Sequence, residues 1–164
     1  VPDMSIAALI TPFLPSFLIP TSPTKFTLLF FASSWCPDCT PAVPALSSFY
    51  TSINSATANS LQCAYVSSDR NDGAIKKHAS QMPEDWFTVP NADDRTGLKA
   101  LFGCCAGSET SSITGIKRKH GIPTVFVLES ATLKVCSEDG LGDIRKHGGD
   151  KVLGIWGARA AKIE

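Results

Sequence analysis

Phe26-Thr27-Leu28-Leu29-Phe30-Phe31-Ala32-Ser33-Ser34-Trp35-Cys36-Pro37-Asp38-Cys39 runs directly from an unbroken apolar segment into a Cys-x-x-Cys pair. Phe26 to Ala32 is short and continuously apolar rather than alternating, the pattern of a central strand covered on both faces. Beyond the pair, Val43, Leu46, Phe49, Tyr50 and Ile53 recur at helical spacing as one buried stripe. Pro37 and Pro41 suit a first turn, whereas Pro44 removes the hydrogen bond to Thr40 and predicts a kink. The two cysteines therefore sit where a strand ends and a helix begins, an arrangement suited to dithiol/disulfide chemistry.

Outward from this unit, Thr51 to Ser60 is polar and small and reads as a loop. Leu61 to Ser67 reads as a second buried strand. Ser68 to Asp72 closes it and caps a helix over Gly73 to Gln81. Pro83 and Pro90 bracket a loop holding Trp86 and Phe87. Asp93 and Asp94 cap a short helix ending at Phe102, and Gly103 to Thr114 has the Gly, Ser and Thr content of a surface insertion. Val125–Glu129 and Leu133–Ser137 form an alternating pair around Ser130-Ala131-Thr132, a hairpin. The tail after Gly140 is read as helical. This order implies an α/β sandwich whose parallel central strands carry an antiparallel edge.

The 164 residues fit one domain, 1–164. Fifteen basic residues balance fifteen acidic ones, which argues against wholesale binding to nucleic acid or an anionic membrane. Lys117-Arg118-Lys119-His120 is read as a solvated turn. Six cysteines are too sparse for a disulfide scaffold and fit a reducing compartment; a cytoplasmic location and a monomer are expected. Residues 4–19 are strongly apolar, but Pro12, Pro15 and Pro20 interrupt them and no basic n-region precedes them. The stretch 1–24 is therefore expected to be extended and packed on the domain.

A thiol attacks disulfides as thiolate, and a helix N-terminus aims N–H groups and a positive dipole end at Cys36. Cys36 is thus the expected nucleophile. Cys39, one turn on, resolves the mixed disulfide. Pro37 stiffens the turn between them. Asp38 partly opposes thiolate formation, and a moderately reducing couple is expected. Trp35 reads either as an exposed platform beside the nucleophile or as a core residue. In Gly121-Ile122-Pro123-Thr124, a cis Pro123 would set the carbonyl of Ile122 against a partner backbone, although a proline at a strand start is the commoner meaning. The pair could also begin a zinc site, with Cys104 and Cys105 completing it, but a second Cys-x-x-Cys or Cys-x-x-His is missing. No metal is expected.

These residues resemble the thioredoxin superfamily, and within it the tryparedoxin and nucleoredoxin branch. The resemblance covers about Phe26 to Val135 and rests on Phe31-Ala32-Ser33-Ser34-Trp35-Cys36-Pro37-Asp38-Cys39 with Pro41 and Pro44, Val66-Ser67-Ser68-Asp69, Met82-Pro83, Trp86, Val89-Pro90 and Gly121-Ile122-Pro123-Thr124. It implies a thioredoxin-like three-layer sandwich with a central mixed sheet flanked by helices. It also implies a redox-active Cys36–Cys39 disulfide without bound cofactor, a cis Pro123, and a substrate surface of Trp35, Pro37, Asp38, Ile122 and Pro123. Proteins of this branch reduce disulfide proteins such as peroxiredoxin-type peroxidases, drawing electrons from a small thiol such as trypanothione; glutathione is a second possible donor here. The chain departs from that pattern at Asp38, where the family usually has proline, and at Glu84-Asp85, which separate Met82-Pro83 from Trp86. Phe30 stands where ordinary thioredoxins bury an aspartate, so proton transfer from Cys39 needs another group or water. A thioredoxin-fold binding module without catalysis is the alternative from a different class.

Elsewhere, Cys63 and Cys136 read as small buried hydrophobes. Cys104-Cys105 is expected in a flexible loop, open to modification. His78 and His147 are expected to be solvated, and His120 to lie near the active face without a catalytic role.

Overall fold

The computed structural model describes residues 6–13 and 24–162. Its centre is β1 (Phe26–Ala32), every residue of which is buried. β1 pairs in parallel with β2 (Leu61–Ser67), also buried throughout, and antiparallel with β4 (Thr124–Glu129). A two-residue β3 (Phe87–Thr88) and β5 (Val135–Ser137) complete the sheet in the order β3-β2-β1-β4-β5. Parallel pairing on one side and antiparallel on the other makes the sheet mixed, as expected from the order of elements.

Helices cover both faces. α2 (Cys39–Ala56), α3 (Asp72–Ala79), α5 (Gly140–His147) and α6 (Gly149–Lys162) lie beyond the sheet with α1 (Ile6–Ile10) and α4 (Ala92–Phe102). One core cluster takes Phe26, Leu28 and Phe30 of β1 against Leu46, Phe49 and Ile53 of α2 and Trp156 of α6. The other takes Leu29 and Phe31 against Ile10, Leu98 and Phe102. Alternation along a doubly covered strand divides its side chains between these two layers. Trp156 donates from Nε1 to Asp143 of α5 at 2.9 Å, and Arg159 reaches the same carboxylate at 2.7 Å.

Five expectations are corrected. α2 does not stop at Thr51 but continues to Ala56, where Asn54 donates to Leu61 O and accepts from Leu61 N, both at 2.9 Å. This pair ties the helix end to the start of β2 and overrides the weak helix propensity of Thr51, Ser52 and Ser55. Residues 6–13 are a helical turn and a 3-10 turn, not extended chain. Their packing is close, for Ile10 is fully buried and a Cβ at Gly97 would collide with the Phe13 ring. The rest of 1–24, with Pro15 and Pro20, lies outside the described residues, apart from Thr24. The loop between Pro83 and Pro90 contains β3. α4 begins with an Asn91 cap, whose side chain accepts from Asp93 N, rather than with a cap from Asp93 or Asp94.

The fifth correction concerns 103–114. Gly103 ends α4 in the left-handed conformation at φ 60°, and a Cβ there would meet Lys117 O at 2.6 Å. The chain then turns inward. Cys104, Cys105 and Ala106 are buried, and Cys104 forms an isolated parallel bridge with His120. Only from Gly107 does the segment reach the surface, and Ile113 is buried again. Among the described residues, no helix is long and apolar enough to cross a membrane.

Candidate functional site

The antiparallel register of β1 and β4, with Phe31 opposite Thr124, brings Ile122-Pro123 beside the loop that leaves β1. That loop, Ser33 to Asp38, delivers Cys36 and Cys39 to the start of α2. Cys39 N–H donates to Cys36 Sγ at 3.2 Å and to Cys36 O at 3.1 Å. Cys36 Sγ also lies 3.9 Å from the Ile122 carbonyl. The Ile122–Pro123 peptide is cis. The helix N-terminus and the carbonyl of Ile122 thus converge on one sulfur.

The two thiols are unequal. Cys36 is 6% exposed, at the edge of the surface, whereas Cys39 is fully enclosed. Burial, then the hydrogen bond from Cys36, pushes the Cys39 thiol up to about 12, with a smaller upward push from Asp38. The charge of Asp38 is therefore felt at Cys39.

Of the expected substrate surface, Trp35, Pro37 and Asp38 are exposed and Ile122 and Pro123 half-buried. Trp35, 52% exposed, donates from Nε1 to Ser68 O at 3.4 Å and is therefore a surface residue, not a core one. Asp38 and Pro123 meet in a groove of about 370 Å³ whose other walls are Pro41, Ala42, Ala45 and Leu46 of α2 and Leu141, Ile144 and Arg145 of α5. Trp35 and this groove are separate parts of the surface around Cys36. Met82-Pro83 and Trp86 do not join it. Trp86 is buried against Phe30 and Tyr50, and Asp85 accepts from the Tyr50 hydroxyl at 2.6 Å.

Asp69, quoted above only within the Val66-Ser67-Ser68-Asp69 stretch and without a role, holds the motif loop in place. It accepts from Ser34 N at 3.1 Å, from Ser34 Oγ at 2.7 Å and from Ser67 Oγ at 3.1 Å. Next to it lies His78, 5% exposed, with Nδ1 2.7 Å from the Tyr65 hydroxyl. The expectation of a solvated His78 is overturned because α3 turns this side chain toward β2. Burial lowers its pKa from 6.5 and the charge of Asp69 opposes the shift. The folded state thus disfavours the proton that the unfolded chain accepts near pH 6.5. The contribution of His78 to stability is full above that pH and is lost as the pH falls through its lower folded value. The urea midpoint is expected to drop on acidification below 6.5 more in the native protein than in His78→Gln.

The remaining cysteines are apart from this site. All six are free thiols and buried. Cys104 Sγ donates to Gly121 O at 3.5 Å, and burial pushes its thiol up to about 12. It belongs to the core layer opposite that of Cys36 and Cys39, so it does not complete a zinc site with them. Its burial also corrects the expectation of a flexible, modifiable loop. Cys63 and Cys136 are buried in the Cys36 layer. Among the described residues no group of three or more His, Cys, Asp or Glu side chains could hold a metal ion. His120 stacks edge-on against Phe126 and pairs with Glu138 at 3.5 Å.

A mixed five-stranded sheet between helical layers, with a close Cys pair at a helix start, defines a thioredoxin-type protein. Residues 24–132 match the model of the thioredoxin-like family, and the chain belongs to that family. It is 31% identical over 120 residues to probable nucleoredoxin 3 of Oryza sativa subsp. japonica, a match covering 73% of this chain and 22% of that protein. It is 27% identical over 108 residues to tryparedoxin of Trypanosoma brucei brucei, covering 66% and 63%. The chain therefore spans less than two thirds of either relative. Native tryparedoxin I from Crithidia fasciculata shares the fold at a TM-score of 0.61 and 17% identity, over 87% of this chain and 94% of that one. The fold needs no prosthetic group for thiol chemistry.

Proposed function

We propose that this protein is a thiol–disulfide oxidoreductase of tryparedoxin or nucleoredoxin type that reduces protein disulfides. The observation that carries this reading is the contact of Cys39 N–H with Cys36 Sγ at 3.2 Å, at the start of α2 and beside the Ile122 carbonyl. Cys36 as thiolate attacks one sulfur of a substrate disulfide; the substrate S–S bond breaks and its second sulfur leaves as thiolate. Cys39 then attacks Cys36 in the mixed disulfide, the enzyme disulfide forms, and the substrate departs with both sulfurs reduced. Trp35, Pro37, Asp38, Ile122 and Pro123 line the approach. The substrate class is disulfide-containing proteins, peroxiredoxin-type peroxidases among them. The electron donor is a small thiol, trypanothione or glutathione, and the place of action a reducing compartment such as the cytoplasm.

The test is the reduction of insulin disulfides with dithiothreitol, trypanothione or glutathione as donor. Turnover that depends on Cys36 supports the reading, and the best donor assigns the branch. Absence of turnover with every donor, while both thiols remain free, would leave the non-catalytic binding module.

A further inference from the structure

Gly103-Cys104-Cys105-Ala106 runs beside Lys119-His120-Gly121, and the two segments hold each other. Lys119 N–H and His120 N–H both donate to Gly103 O, at 2.7 and 3.0 Å, and Cys105 N–H donates to His120 O at 3.2 Å. Cys104 Sγ and Thr124 Oγ1 both donate to Gly121 O, at 3.5 and 2.6 Å. The buried cysteines thus fasten the basic run Lys117-Arg118-Lys119-His120 against the residues that lead into the cis peptide.

The side chains of this run separate. Lys117 and Lys119 line a cleft that also contains Glu138, Asp139 and Asp143, and His120 pairs with Glu138. Arg118, exposed, does not join them. Its Nε donates to Cys105 O at 3.0 Å, and its Nη2 lies so close over Gly121 that a Cβ there would meet it at 2.7 Å. A Cβ at Gly107 would be 3.9 Å from the same nitrogen. Among the described residues no carboxylate lies within ion-pair distance of this guanidinium, and its two Nη groups have no acceptor. Glu109, the nearest acid in sequence, is engaged by Lys99, Ser68 and Ala106 N. One charged fork is therefore fixed beside the cis peptide with its outer donors open.

We propose that Arg118 selects the partner of Cys36, favouring protein disulfides with aspartate or glutamate within about four residues of the attacked cysteine, a role that rests on the thiol–disulfide reading above. A partner sulfur bonded to Cys36 at about 2 Å stands over the Ile122 carbonyl, which is 3.9 Å from Cys36 Sγ. Gly121, under the guanidinium, is the next residue of the same backbone. An extended chain advances about 3.3 Å per residue. A partner strand lying along this backbone therefore passes Arg118 within a few residues of its cysteine. There the two Nη groups fit both oxygens of a carboxylate, while Nε stays on Cys105 O. A lysine at the same place on the partner is repelled. Charges at the rim of an interface act chiefly on the rate of association, and salt screens them.

The test is single-turnover oxidation of the fully reduced protein by three disulfide-linked peptide dimers. They are identical except that glutamate, glutamine or lysine fills the positions flanking the cysteine. Acid quenching and mass measurement follow formation of the enzyme disulfide. Rates are taken relative to those with dithiothreitol, which removes intrinsic differences between the peptides. At low salt the glutamate dimer is expected to react about tenfold faster than the glutamine dimer, and the lysine dimer more slowly than both. In about 1 M salt, where the screening length falls to about 3 Å, the three rates should converge. Arg118→Gln should cut the glutamate advantage to about twofold and leave the glutamine rate within about twofold of native. Arg118→Lys should retain most of the advantage. Equal slowing with all dimers in Arg118→Gln would overturn the proposal, because the side chain would then only support the loop. Equal rates of the three dimers on the native protein, or a full advantage surviving in Arg118→Gln, would overturn it too. Were the native protein oxidised by none of them, the thiol–disulfide reading itself would fail, and Arg118 would have no partner to select.

Discussion

Cys36→Ser is expected to reduce insulin turnover to background with every thiol donor, while the thermal midpoint stays near that of the native protein. Burial sets four of the other five sulfurs aside. Cys39 and Cys104 are both held at about 12, which leaves roughly one thiolate in 10⁵ at pH 7. Burial raises Cys63 and Cys136 as well. Cys36 alone among the six lies in the surface loop with a backbone N–H, that of Cys39, directed at its sulfur. Serine keeps an acceptor for Cys39 N–H, so the loop retains its bond, but a hydroxyl does not attack a disulfide at neutral pH. Cys39→Ser gives the complementary result. It permits the first attack and stops there, so one equivalent of mixed disulfide accumulates on Cys36 and is read by mass. Turnover surviving in Cys36→Ser would assign the chemistry to another sulfur.

The parts of this fold legible in the sequence are those that depend on near neighbours. β1 and β2 are legible because each is a run of seven successive residues, mostly apolar, without Gly, Pro or a charge. The stripe from Val43 to Ile53 identifies α2 by its helical spacing. β3, two residues long, is too short to carry a period. The end of α2 depends on Asn54 meeting Leu61, a contact that no window of helical spacing contains.

The site divides in the same way. Cys36 and Cys39 lie within one turn and announce themselves by type and spacing. Asp69, Tyr65 and His78 come together only when β2 aligns beside β1 and α3 folds back, and each alone looks ordinary. Asp69 holds Ser34 from 35 positions away. The buried front of residues 103–114 escapes the sequence because Gly, Ser and Thr usually mark exposed chain, while two cysteines there supply the burial.

That segment leads to the second large effect. Glu109→Ala is expected to lower stability by about 3 kcal/mol, because it leaves the ammonium of Lys99 buried without its partner. Lys99 Nζ lies 2.6 Å from Glu109 Oε2, with side-chain exposures of 6% and 21%. The other carboxylate oxygen accepts from Ser68 Oγ at 2.5 Å and Ala106 N at 3.0 Å. One side chain thereby joins α4, the buried start of the segment and the turn after β2 whose Ser68 carbonyl receives Trp35. In a chain of this size the loss corresponds to a fall in thermal midpoint of about 8 °C. Removing both charges separates the causes. If the uncompensated ammonium dominates, Glu109→Ala with Lys99→Met recovers most of the midpoint, since an apolar side chain in that position needs no counter-ion. If the bonds to Ser68 and Ala106 dominate, the double variant stays as low as Glu109→Ala. A midpoint unchanged in Glu109→Ala would return the segment to the surface insertion that its composition suggests.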